Sequence, residues 1–135
     1  MLEDGLDFSF AGLKTAVRRI VEAEALLSDD ARLALAREFE DAVTEVLVTK
    51  TLRAIEEYGA RAVVVGGGVS ANEHIRSALA KALQDGGYGA KLLAPPPELS
   101  TDNAIMIGLA GYFRALRKEL ADPEKLAACG NLQLH

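Results

Sequence analysis

One cysteine, two histidines and no tryptophan leave several chemistries without their usual ligands in this chain of 135 residues. Cys129 alone forms no internal disulfide and no zinc-finger spacing, and this usage points to a reducing, cytoplasmic compartment. His74 and His135 lie too far apart for a metal motif, and no His-Glu-x-x-His occurs, which excludes a self-contained zinc protease. A Ser-centred nucleophile elbow is also missing. Aromatic residues make up only 5%, too few for a base-stacking platform. Basic residues are outnumbered 15 to 20, giving a net charge of −5. Autonomous nucleic-acid binders have the opposite balance, because counterion release drives their affinity, so an RNA role needs a local patch or a partner's surface. No apolar run approaches the roughly 18 residues that span a bilayer, and no membrane contact is expected. The start, Met1-Leu2-Glu3-Asp4, is acidic where a targeting peptide would be basic.

What remains is a chain that is 50% hydrophobic and 26% charged, as a packed core requires. Its length suits a single domain over 1–135. Leu13, Ala16, Val17, Ile20 and Val21 recur at helical spacing, predicting a helix over about 13–27. Ser28-Asp29-Asp30 caps a second helix over 31–58, about 40 Å long at 1.5 Å per residue and ended by Gly59. Its expected core stripe is Leu35, Phe39, Val43, Val46 and Leu47, with Arg37, Glu38, Glu40, Asp41 and Glu45 in water. Ala62-Val63-Val64-Val65 has no polar interruption, so a strand buried on both faces is expected. A helix over about 70–83 follows, with Ser70 and Glu73 at capping-box spacing. Lys91-Leu92-Leu93 reads as a second strand, closed by Pro95-Pro96-Pro97, and a last helix spans about 102–120. Strand, helix, strand implies a parallel crossover and an α/β fold.

Three stretches could carry chemistry. Val65 runs into Gly66-Gly67-Gly68 and then a helix start, an order by which α/β proteins build phosphate sites. There the glycines admit a ligand to the backbone, and Asn72 could bond a ribose or a base; equally, the turn could bind nothing. The spacing matches neither the Rossmann fingerprint nor the Walker loop. Ser100-Thr101-Asp102-Asn103 precedes the last helix at the carboxyl end of the sheet, where Asp102 could ligate a metal or cap the helix. Gly108 and Gly111 there suggest close helix packing. Lys14 and Arg18, four apart, share a helical face that could touch phosphate or RNA, or simply face water.

In order, Asp7-Phe8-Ser9-Phe10-Ala11-Gly12-Leu13-Lys14-Thr15, Val65 to Asn72 and Pro96 to Ile107 closely resemble the C-terminal portion of the TsaD family, the bacterial tRNA N6-adenosine threonylcarbamoyltransferases. The older family name is O-sialoglycoprotein endopeptidase, a peptidase reading that these residues do not support. The resemblance implies the C-terminal part of an actin-like, two-lobed ATPase fold, as in sugar kinases and Hsp70. It implies transfer of threonylcarbamoyl from threonylcarbamoyl-AMP to an adenosine beside the tRNA anticodon. Carried over, Asn72 is a nucleotide or substrate contact, with Gly67 and Gly68 supplying close backbone. Asp102 is one ligand of an iron or zinc ion, and Lys14 and Arg18 face the cleft or tRNA. Implied ligands are threonylcarbamoyl-AMP or ATP; implied partners are tRNA and TsaB-like and TsaE-like proteins. The family's N-terminal lobe, with its His-x-x-x-His metal motif and first phosphate loop, is not in these 135 residues. An isolated chain is therefore expected to be inactive, and its unpaired sheet edges to favour self-association. Ala11 and Ser100 replace a common Ser and a common Cys, and the tail departs from the family's usual Arg-Trp-Pro ending. A non-catalytic nucleotide-binding or interaction module is the alternative.

Overall fold

Two three-residue strands and the helix between them organise the fold. The computed structural model describes residues 5–23 and 27–127. Cys129, His135 and the rest of the tail lie outside the described residues. The chain divides into a larger unit running to Thr101 and a smaller one from Asp102.

In the larger unit, α1 (Ala11–Ala23) packs on α2 (Asp29–Tyr58). Helix α2 begins where the Ser28 side chain accepts from the Ala31 amide at 3.2 Å. Asp29 and Asp30 in its first turn suit the positive end of the helix dipole. It ends at Gly59, whose N–H still donates to the Ile55 carbonyl and whose left-handed φ of 61° turns the chain so that the Ala60 N–H reaches the same carbonyl at 3.3 Å. Strand β1 (Ala62–Val64) then pairs in parallel with β2 (Lys91–Leu93), in the register Ala62 to Lys91 and Val64 to Leu93. Lys91 N–H donates to the Arg61 carbonyl at 3.0 Å and Val65 N–H to the Leu93 carbonyl at 2.9 Å, extending the ladder at both ends. The crossover is α3 (Glu73–Asp85). The smaller unit holds α4 (Ala104–Leu116), whose chain turns off at Lys118 with φ 58°.

The core follows from α3. Ile75, Leu79 and Leu83, four apart, form one buried stripe facing α2 and the sheet, joined by Val46 and Ile55 of α2. Fully burying each such side chain contributes roughly 1.5–3 kcal/mol. Tyr88 Oη donates to Glu56 at 2.8 Å, pinning the approach to β2 against α2, and that hydrogen bond raises the phenol above its ordinary pKa.

Several expectations change. The first strand is covered on one face only: Val63 is half-buried, whereas Val64 is 77% exposed. Among the described residues of the larger unit, the two-stranded sheet carries one crossover helix, which covers one of its faces. The core of α2 lies in its second half, around Val46 to Ile55, because that is where α3 docks; Phe39 is exposed. Ser70 and Glu73 form no capping box. Ser70 instead sits in a 3-10 turn (Gly68–Ala71), and Asn72 caps α3. Asn103, not Asp102, caps α4, which ends at Leu116, and a Cβ at Gly108 or Gly111 would stand in open space, with no close helix neighbour.

Leu79 is 4% exposed at the centre of the stripe. Leu79→Ala is expected to cost about 2–4 kcal/mol, through lost burial and a cavity, in urea unfolding of the whole chain. An exposed-helix change such as Ala80→Ser should shift the midpoint by less than about 0.5 kcal/mol.

Candidate nucleotide site

The carboxyl ends of both strands open into loops that end on buried serines. After β1 the chain passes Gly66 to Gly68, and Gly67 adopts φ 83° and ψ 169°. Essentially only glycine occupies that region. The Gly67 carbonyl then accepts from the Ser70 amide at 2.9 Å and from Ser70 Oγ at 2.7 Å. Ser70, 2% exposed, thereby locks the turn from within. Gly66 and Gly68 are exposed with open space around them, so nothing in the fold demands glycine at either by crowding.

Asn72 follows the turn with both ends of its amide engaged. Its Oδ1 accepts from the Ile75 N–H at 2.9 Å, capping α3, and its Nδ2 donates to Glu40 Oε1 of α2 at 2.7 Å. A neighbouring contact between His74 and Asp41, 2.9 Å apart, joins the same two helices at the surface. Beside the Asn72–Glu40 bond is a cavity of about 690 Å³, within the size range of small-molecule sites. Phe10, Leu33, Val43, Val69 and Ile75 give it apolar walls, while Arg37, Glu40 and Asn72 supply the polar groups. Few polar groups in an apolar wall is how such a site fixes a ligand's orientation. Gly67 and Gly68 are not among its lining residues.

Phe10 reaches this wall from the segment before α1. That segment is held by Lys50 of α2, only 5% exposed, whose Nζ donates to the Asp7 carbonyl at 2.6 Å. Lys14 and Arg18 lie on an exposed face of α1, and Arg18 is paired with Glu22 at 2.7 Å. Sequence reasoning missed Glu40 and Lys50. Both sit on α2 among residues whose periodicity assigns them only to water or core, and their partners lie 32 and 43 residues away.

Asp102 is exposed in the bend before α4, lining an open groove with Asn103, Met106 and Ile107. A catalytic zinc or iron site takes about three protein donors. Among the described residues no three His, Cys, Asp or Glu side chains cluster to hold a metal ion. The residues present do not fit a metal by themselves; Asp102 offers one carboxylate in largely apolar company.

A helix-rich α/β unit, with a two-stranded parallel sheet, a glycine turn after its first strand and a walled cavity beside that turn, places the protein in the α/β class. Within that class the chain belongs to the TsaD family, described as tRNA N6-adenosine threonylcarbamoyltransferase, whose profile matches residues 2–109. The Symbiobacterium thermophilum protein of that name is 48% identical over 111 residues, 82% of this chain and 32% of the relative. The Gemmatimonas aurantiaca protein is 45% identical over 127 residues, 93% of this chain and 35% of its own. The Moorella thermoacetica protein is 43% identical over 134 residues, 98% of this chain and 38% of its own. The chain thus spans 32–38% of the length of these relatives.

Two substitutions separate the geometry's demands. Gly67→Ala should destabilise the chain by about 1–3 kcal/mol, because alanine is strained at that φ and ψ. Gly68→Ala, which meets open space, should leave the thermal midpoint within about 2 °C. Equal losses for both, measured by circular dichroism melts, would contradict the account of the turn.

Proposed function

We propose that the chain is the nucleotide-holding part of a tRNA N6-adenosine threonylcarbamoyltransferase with an actin-like ATPase fold. The observation that carries this reading is the Asn72–Glu40 pair at the wall of the 690 Å³ cavity, beside a glycine turn, in a member of this family. The family name supports N6 of an adenosine in tRNA as the acceptor. In the overall step the adenosine N6 attacks the carbamoyl carbonyl of threonylcarbamoyl-AMP. A new N–C bond forms, the C–O bond to the AMP phosphate breaks, and N6 loses a proton.

This chain's residues bind and orient. The apolar wall suits the adenine face of the adenylate, and the Glu40 carboxylate suits hydroxyl donors such as those of ribose. Asn72 holds Glu40 in place and offers its amide to the ligand, while the exposed backbone at Gly67 and Gly68 lets a phosphate approach. Lys14 and Arg18, on the exposed face of α1, are positioned to meet tRNA phosphates. Asp102 would contribute one oxygen to an iron or zinc ion whose other donors come from outside the described residues. The chain spans about a third of its relatives' length, so activity is expected to need the remaining length. TsaB-like and TsaE-like partners in a cytoplasmic assembly complete this reading. The unpaired edges of the two-stranded sheet favour pairing with a second copy when that remainder is absent. Its coverage also keeps a second reading in view, a non-catalytic nucleotide-binding module.

Calorimetry with ATP on the whole chain tests binding. Asn72→Ser retains a capping side chain but loses the bond to Glu40, and should weaken affinity about tenfold at near-native stability. Gly68→Ala should weaken it similarly if phosphate approaches the backbone. Unchanged affinity in both would reject the site. Incubation of tRNA and threonylcarbamoyl-AMP with the chain should yield modified adenosine only when the remaining length of a relative is added. Modification by the chain alone would refute the divided-site reading.

A further inference from the structure

Arg76 lies in the second turn of α3, one helical turn past the Asn72 cap, and its half-buried guanidinium reaches into both loops at the carboxyl end of the sheet. Its Nε donates to the Ser70 carbonyl at the end of the glycine turn. Its Nη2 donates to the Pro95 carbonyl at 2.5 Å and to Ser100 Oγ at 3.0 Å. Ser100, 4% exposed, donates its hydroxyl hydrogen to the Pro96 carbonyl in a hydrogen bond of 3.2 Å. These acceptors are two carbonyls and a hydroxyl, so the guanidinium spends its charge on shaping backbone. A planar fork of donors can hold several acceptors in fixed geometry, as a lysine ammonium cannot.

The geometry points to Arg76 as a positioning residue that clamps the glycine turn to the loop leaving β2, fixing the wall of the nucleotide cavity. The assignment rests on the nucleotide reading above for its functional consequence, and on the hydrogen bonds alone for the clamp. The ladder contributes the Val65-to-Leu93 bond as its last rung, and two three-residue strands are marginal without support. The two 3-10 turns, Gly68–Ala71 and Pro97–Leu99, touch each other across the gap that Arg76 spans. Val69 and Asn72, which line the cavity, flank the carbonyl that Arg76 holds. Slack in the second loop therefore passes to the cavity through Arg76.

Amide hydrogen exchange on the whole chain, read at single residues, tests the clamp. Ser70 and Asn72 report the glycine turn, Leu99 and Ser100 report the second loop, and Ile75 and Leu79 report the α3 framework. Arg76→Met should speed exchange about tenfold in both loops while the α3 framework stays within about twofold. Arg76→Lys, which keeps charge and length, should behave as Arg76→Met does and covers the case in which the Met variant fails to fold. Ser100→Ala is decisive: it removes one acceptor in the second loop, and a clamp requires faster exchange at Ser70 and Asn72 as well, by about threefold. A purely local role for Ser100 would leave Ser70 and Asn72 unmoved, and that result overturns the proposal. In parallel, ATP affinity should fall about tenfold in Arg76→Lys. Absence of ATP binding by the unsubstituted chain would sink the nucleotide reading, whereas the exchange result would still decide the clamp.

Discussion

Helix α3 meets helix α2 along a seam that the whole larger unit depends on. At its lower end Ile75, Leu79 and Leu83 bury against Val46 and Ile55, and at its upper end Asn72 reaches across to Glu40. The seam sets where the glycine turn emerges, because the turn's last residue is also the helix cap. It encloses the cavity too, since Val69, Asn72 and Ile75 face Val43 and Leu47 across it. A single asparagine thus has two obligations. It satisfies an orphan amide of α3, which a residue such as serine could also do, and it orients a carboxylate, which serine cannot reach in the same way.

Around this seam the molecule leaves much apolar surface uncovered. Val64 and Leu93 are cross-strand neighbours on the open sheet face, and in the smaller unit Ile105, Ile107, Leu109 and Leu116 of α4 are exposed. Isolated exposed apolar residues are ordinary; neighbouring ones on a strand pair mark a surface built for contact. The relatives extend over about three times the matched length.

Much of the architecture was legible in the residues. Ser28 before two aspartates, Gly59 after Tyr58, and apolar runs bounded by glycine and proline mark element ends through local chemistry, and the structure places the elements within a few residues of them. Long-range partnerships were not legible. Glu40 belongs to a run with Arg37, Glu38, Asp41 and Glu45, and only the docking of α3 distinguishes it from its neighbours. Arg76 has the look of a solvated helical residue until two loops, 6 and 19–24 residues away, fold back to it. The capping box failed for a different reason: the Gly67 carbonyl competes for the Ser70 hydroxyl, so the turn tightens and the helix starts later. The strand's exposed face reflects what a sequence run cannot carry, namely how many strands and helices are present to cover it.

The most direct test of the central claim is a titration of the isotope-labelled chain with AMP, followed residue by residue by nuclear magnetic resonance. The account predicts saturable shifts confined to Phe10, to residues 66–75 and to α2 between Leu33 and Leu47, where the cavity wall and the glycine turn lie. Shifts clustered elsewhere in the chain, or none at millimolar AMP, would contradict it.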